Sequence, residues 1–207
     1  MEGAFAFLTW HELSDIATNW EVESRFSTDG GNTWTPRRQI SAEAGFSGNA
    51  TVCIENLLVM IAWTDSRFSD TEIFARKNAT GNPLHSAHTL DWAYSTGAVG
   101  SSAVTDMVTD TKGNVFLTGN FQSAVDFDPD MDLHILNSVG GDDIFISKTS
   151  PSGDVLWATR IGGPGEDHVN SIAMDREGNI IVSGSFHETV DFDPGPNVFP
   201  LSAGENG

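Results

Sequence analysis

Residues 92–129, WAYSTGAVGSSAVTDMVTDTKGNVFLTGNFQSAVDFDP, lie over residues 157–194, WATRIGGPGEDHVNSIAMDREGNIIVSGSFHETVDFDP, without a gap. The displacement is 65 residues. Matched pairs include Trp92/Trp157, Gly97/Gly162, Gly100/Gly165, Val104/Val169, Asp110/Asp175, Gly119/Gly184 and Phe121/Phe186, and both copies close on VDFDP. A chain that repeats so long a phrase in register builds one local unit twice. Each unit must then bury its apolar face against a neighbour.

The unit reads as short strands. SIAMD alternates apolar and polar residues, REGN is a turn of the Asn-Gly kind, and IIVSGSF follows as a second strand. After the acidic phrase, DIFISKTS (residues 143–150) gives a third strand, PSGD a turn, and VLWATRI a fourth. A helix over EDHVNSIAMDR fails, because a Gly-Asn turn and a β-branched run follow at once. Four antiparallel strands per unit, with Trp and Phe at fixed places, predict an all-β protein of β-propeller blades. Trp92 and Trp157 are expected on the last strands of successive blades, and Phe121 and Phe186 on second strands.

The first ninety residues repeat in a different idiom. FLTWHELSDIATNWEVESRF lies over MIAWTDSRFSDTEIFARKN, pairing Trp10 with Trp63, Glu21-Val22 with Glu72-Ile73 and Arg25 with Arg76. Residues 27–34 read STDGGNTW, in which Ser27, Asp29, Gly31, Thr33 and Trp34 form an S-x-D-x-G-x-T-W pattern. Gly30 and Gly31 allow positive φ, and the oxygens of Ser27, Asp29 and Thr33 can bond the turn's own backbone. Trp34 is expected to be mostly buried.

STDGGNTW resembles the Asp-box (BNR) hairpin of sialidase-like propellers, and WTDSR…EIFAR is similar to blades of that group, over about residues 4–90. GNVFLTGNF, DIFISK and GDVLWATRIGG resemble the SBBP-type repeat of bacterial β-propellers, over about residues 90–207. The resemblances imply two regions, residues 1–84 and 85–207, which can also belong to one continuous propeller. They imply about four blades with incomplete terminal ones, because the chain opens inside a strand and stops at LSAGENG where DIFISK would recur. A fragment of a longer reading frame is the expectation. The family likeness implies a secreted or cell-surface location, although MEGAFAFLTW has no basic n-region or cleavage site of a signal peptide.

In sialidase-like propellers the Asp-box is structural. Catalysis there needs an arginine triad, a tyrosine nucleophile with a nearby glutamate, and an acid/base carboxyl. This chain has one tyrosine, Tyr94, at a position where the other copy has Thr159. Arg25 and Arg76 recur with the blade, and Arg67 belongs to the blade phrase WTDSR. No G-x-S-x-G elbow occurs. His85 and His88 lie in a Pro-preceded linker without further ligands nearby. Catalytic residues are therefore expected to be absent, and the chain is expected not to be an enzyme.

The acidic loops are the one chemical candidate. DFDPDMD places Asp126, Asp128, Asp130 and Asp132 at alternate positions, and DFDPGPN supplies Asp191, Asp193 and Asn197. Alternating oxygens can wrap Ca²⁺. The same carboxylates can instead set an Asx turn before proline. With 29 acidic and 10 basic residues the net charge is −19, which excludes a phosphate backbone as partner. No apolar run approaches the roughly 20 residues of a membrane span. The lone Cys53 cannot form an internal disulfide. The function expected is a non-enzymatic module binding a protein or a glycan. The alternatives are part of a secreted sialidase-like glycoside hydrolase with its catalytic residues elsewhere, and a calcium-dependent adhesion or structural module.

Overall fold

The computed structural model describes residues 6–13, 20–41, 46–55, 58–66, 72–78, 90–98, 100–128 and 134–204. These residues form strands and turns, with no helix among them. Strands β1 (Ala6–Leu13), β2 (Trp20–Ser27) and β3 (Arg38–Gln39) make a first antiparallel sheet. Strands β4 (Ser47–Glu55), β5 (Leu58–Asp65), β6 (Glu72–Asn78) and β7 (Leu90–Ser95) make a second, in simple up-and-down order. Its β6–β7 pairing spans position 84, so one sheet contains residues from both sides of that position.

The 65-residue unit begins with β8 (Gly97–Ala98), β9 (Ser101–Thr109), β10 (Val115–Gln122), β11 (Ala124–Asp126), β12 (Ile135–Asn137), β13 (Asp143–Thr149) and β14 (Val155–Ile161). Strands β9, β10, β13 and β14 form the third four-stranded sheet, while β8, β11 and β12 make a small sheet at its end. The second copy supplies β15 (His168–Met174), β16 (Ile180–Ser185), β17 (Thr189–Asp191) and β18 (Pro200–Ser202). Here β15 pairs with β16, and β17 with β18.

The repeat holds to the residue. Gly97 pairs with Asp126, and Gly162 bridges to Asp191. Ile135 pairs with Asp126, and Pro200 with Asp191. Trp92 lies opposite Lys77 on β7, and Trp157 opposite Lys148 on β14, so both tryptophans lie on the last strands of their sheets. Phe121 lies on β10, but Phe186 falls one residue beyond β16. The difference has a cause: Phe121 is held on both sides, opposite Ser102 of β9 and Asp143 of β13, whereas among the described residues β16 pairs only with β15.

The N-terminal repeat is also built as paired strands. Trp10 lies opposite Glu23, and Trp63 opposite Phe74. Each indole N–H donates to the acid two residues on, Trp10 to Glu12 at 3.0 Å and Trp63 to Asp65 at 3.4 Å. The Val22 N–H donates to Ser41 Oγ, and the Ile73 N–H to Thr96 Oγ1.

Apolar residues meet between the sheets rather than within any one of them. Val22, Ile61 and Trp63 close the first junction. Met60, Ala62 and Ile73 join Val104, Leu117, Phe121 and Phe145 in the second. Phe116, Ile146 and Ile172 form the third. Strand β9 lies between β4 and β15, so the first strands of successive sheets pack side by side. Face-to-face sheets with first strands grouped are blade-like, and among the described residues they do not close into a ring.

Candidate functional site

The STDGGNTW turn follows β2. Ser27 Oγ accepts the N–H groups of Gly31 (2.8 Å) and Asp29 (3.3 Å), and donates to Asp29 Oδ1 (2.7 Å). Asp29 also accepts from the Thr33 N–H (2.8 Å) and hydroxyl (2.7 Å). These donors, led by the Thr33 backbone, lower the Asp29 carboxyl to about 2. Gly30 and Gly31 have φ of 73° and 92°. Trp34 corrects the expectation of burial, because it is 38% exposed. Its indole N–H donates to Gly31 O at 3.0 Å, so the ring covers the turn's own backbone instead of entering a core.

The hairpins of the 65-residue unit use the same device with different residues. Asp110 accepts from the N–H groups of Lys112 and Asn114 and from the Asn114 side chain, and Asp175 does so from Glu177 and Asn179. Burial pushes the Asp110 carboxyl up, yet the Asn114 bonds outweigh it and the net shift is downward. At Asp175 the Asn179 side chain leads a downward shift.

The VDFDP loops are a matched pair. Asp126 Oδ1 accepts the N–H groups of Asp128 (3.1 Å) and His134 (2.9 Å). Asp191 Oδ1 accepts those of Asp193 (3.1 Å) and Phe199 (2.8 Å). The Phe199 and Asp193 N–H groups hold the Asp191 carboxyl below its usual range. Asp193 Oδ1 accepts from the Gly195 N–H at 2.7 Å, and Asn197 is exposed. Asp130 and Asp132 lie outside the described residues, as do Arg67, His85 and His88. Among the described residues no three His, Cys, Asp or Glu side chains gather as a metal site. Tyr94 lies on β7 opposite Ala75, and the Arg25 side chain is exposed on β2.

Three acidic residues that sequence reading missed accept hydrogen bonds away from the turns, and Asp106 ties the two copies together. Asp106 Oδ2 accepts from Ser171 Oγ (2.8 Å) and the Ile172 N–H (3.0 Å) of the next copy. Asp167 accepts the N–H groups of Gly163 (2.7 Å) and His187 (3.0 Å). Asp143 accepts from Arg160 (2.7 Å) and the Val139 N–H (3.1 Å), while burial pushes its carboxyl up. Asp106 aligns with Ser171, and Asp167 with Ser102, so the register carries no signal for either.

Among the described residues a concave feature lies between the third sheet and the second copy. Ile144, Ile146 and Trp157 form one wall of a groove of about 640 Å³, and Val182, Phe186 and Phe192 form the other. Its lining is mainly apolar, and β16 runs along it.

No family model matches the chain. Over 112 residues it is 30% identical to an uncharacterized WD repeat-containing protein, L264, of Acanthamoeba polyphaga mimivirus. The match takes in 47% of this chain and 8% of that protein, so the chain spans under a tenth of the relative's length. Repeated sequence, stacked antiparallel sheets and this likeness agree on a repeat protein of β-propeller-like build.

Proposed function

We propose that the chain is a non-catalytic, protein-binding repeat module whose contact surface includes the apolar groove between the third sheet and the second copy. The observation that carries this reading is the groove itself, a mainly apolar cleft between two stacked sheets of a repeat protein. Such a cleft accepts apolar side chains of a polypeptide. A glycan would call for a denser set of polar groups than this aliphatic and aromatic lining provides. The carboxylates Asp29, Asp110, Asp126, Asp175 and Asp191 accept turn N–H groups, which gives each a structural role. The SBBP-type and Asp-box assignments, with the secreted or surface location they imply, belong to this proposal on sequence resemblance alone.

A photo-crosslinking amino acid at Val182 tests the reading, with one at exposed Thr111 as control. Polypeptide adducts specific to position 182 are expected, together with no turnover of aryl glycosides. Retention on immobilised glycans without polypeptide adducts would overturn it.

A further inference from the structure

We propose that Arg160 is a proton-operated toggle: it holds Asp143 while that carboxylate is ionised, and turns to Asp191 of the second copy when Asp143 takes up a proton. Asp143 opens β13 with its side chain wholly buried. Its Oδ2 accepts from Arg160 Nη1 (2.7 Å) and the Val139 N–H (3.1 Å), while Oδ1 is buried with no hydrogen-bond partner. The carboxyl packs on Gly162, where a Cβ would meet it at 2.3 Å. A second buried carboxylate, Asp167, binds the next residue, accepting the Gly163 N–H along with that of His187. Among the described residues Arg160 is the cation that faces these two acids. The other ionisable groups on the surrounding loops are Asp142, Glu166 and His187. Glu166 accepts the Asp142 N–H at 3.4 Å, and the His187 ring nitrogen meets the Glu166 carbonyl. Two buried carboxylates opposite one guanidinium leave a charge uncompensated, which burial makes costly. A proton on Oδ1, the oxygen without a partner, removes that charge. Burial, with the Asp167 charge adding to it, pushes the Asp143 carboxyl up against the Arg160 and Val139 bonds.

The second position of the guanidinium is built beside the first. The Arg160 side chain is 31% exposed, so it can leave Asp143 without disturbing a core. Its Nη1 also donates to Gly162 O at 3.0 Å, and Gly162 bridges to Asp191. That bridge brings the second VDFDP loop close to Arg160, whose charge adds to the Phe199 and Asp193 N–H groups in lowering the Asp191 carboxyl. Both backbone bonds of Asp191 end on Oδ1, which leaves Oδ2 for the guanidinium. The counterpart of Arg160 in the first copy is Ser95, so the toggle is a property of the second loop. Asp143 binds its proton more tightly folded than unfolded. Its contribution to stability is therefore present at low pH and lost as pH rises through the folded value. The turn carboxyls Asp29, Asp110 and Asp175 act with the opposite sign.

The test is an NMR titration of the full chain from neutral to about pH 3, following the carboxyl carbons and the Arg160 guanidinium. Asp143 is expected to titrate above the ordinary carboxylate value, and the Arg160 signals to move with the same midpoint. Arg160→Gln should raise the Asp143 midpoint by about one pH unit or more, because it removes the charge that favours the ionised form. Asp191→Asn should leave the Asp143 midpoint in place and send the Arg160 signals at low pH to those of a solvated guanidinium. A midpoint for Asp143 at or below the ordinary value, Arg160 signals that do not follow it, or a midpoint unmoved by Arg160→Gln overturns the proposal. Arg160 signals indifferent to Asp191→Asn overturn it as well, since the second position would then be empty. The titration of the unaltered chain shows whether Asp143 and Arg160 move together, so misfolding of a variant cannot decide the outcome.

Discussion

The two copies of the 65-residue unit carry nearly the same local residues and reach different degrees of burial. Val125 and Val190 are both buried, as are Met107 and Ile172, because their contacts come from within the unit or from the preceding sheet. Phe116 is 4% exposed, whereas its counterpart Ile181 is 57% exposed. Phe116 packs on Ile172, and Ile180 and Val182 lie against that cluster from the following unit. Among the described residues no unit follows Ile181. The contrast shows that Phe116 owes part of its burial to residues of the following copy.

The largest expected effect compares the aromatic groups. Phe145→Ala should lower stability by about 3–5 kcal/mol, because it empties a fully buried ring site. Phe192→Ala should cost less than half as much, since its site is already open on the groove side. Urea midpoints measure both, and equal losses would break the comparison.

Asp106→Ala should cost about 1–3 kcal/mol by leaving donors on β15 unpaired. The loss should concentrate in the second copy. Hydrogen exchange is expected to quicken across β15 and β16 more than across β13 and β14, and a uniform change would show that Asp106 does not link the units.

Smaller effects should come from the turns, where the copies are alike. The Asp110 and Asp175 carboxyls are held below their ordinary value of about 3.9. A lowered folded-state pKa contributes stability above the unfolded value, and that contribution is lost as pH falls through the folded value. The amides of Asn114 and Asn179 should therefore titrate below pH 3.9, and that of Thr33 near 2, following Asp29. Titration of Asn179 at the ordinary carboxylate value would separate the two turns.

The smallest effect expected is that of calcium. Asp126 and Asp191 make the same two backbone contacts, so millimolar Ca²⁺ should give no heat of binding and the Asp128→Asn protein should behave as the parent. Heat that weakens on Asp128→Asn would distinguish the more acidic first loop as a metal site.

Strand identity, turn positions and the 65-residue pairing register were legible in the sequence, because each depends on alternation, on Gly and Asn at hairpin tips, and on residues adjacent along the chain. The STDGGNTW turn was legible for the same reason, since all its bonds close within eight residues. The burial of Trp34 was misjudged because a ring's partner is chosen by what lies above the turn, and here that is the turn itself. Asp106 and Asp167 were invisible because the 65-residue register pairs each with a serine, and Asp143 because its ion pair with Arg160 forms only when β13 and β14 pair. The groove was invisible for a related reason. Its walls come from the third sheet and from the second copy, and only the stacking of the sheets brings them face to face.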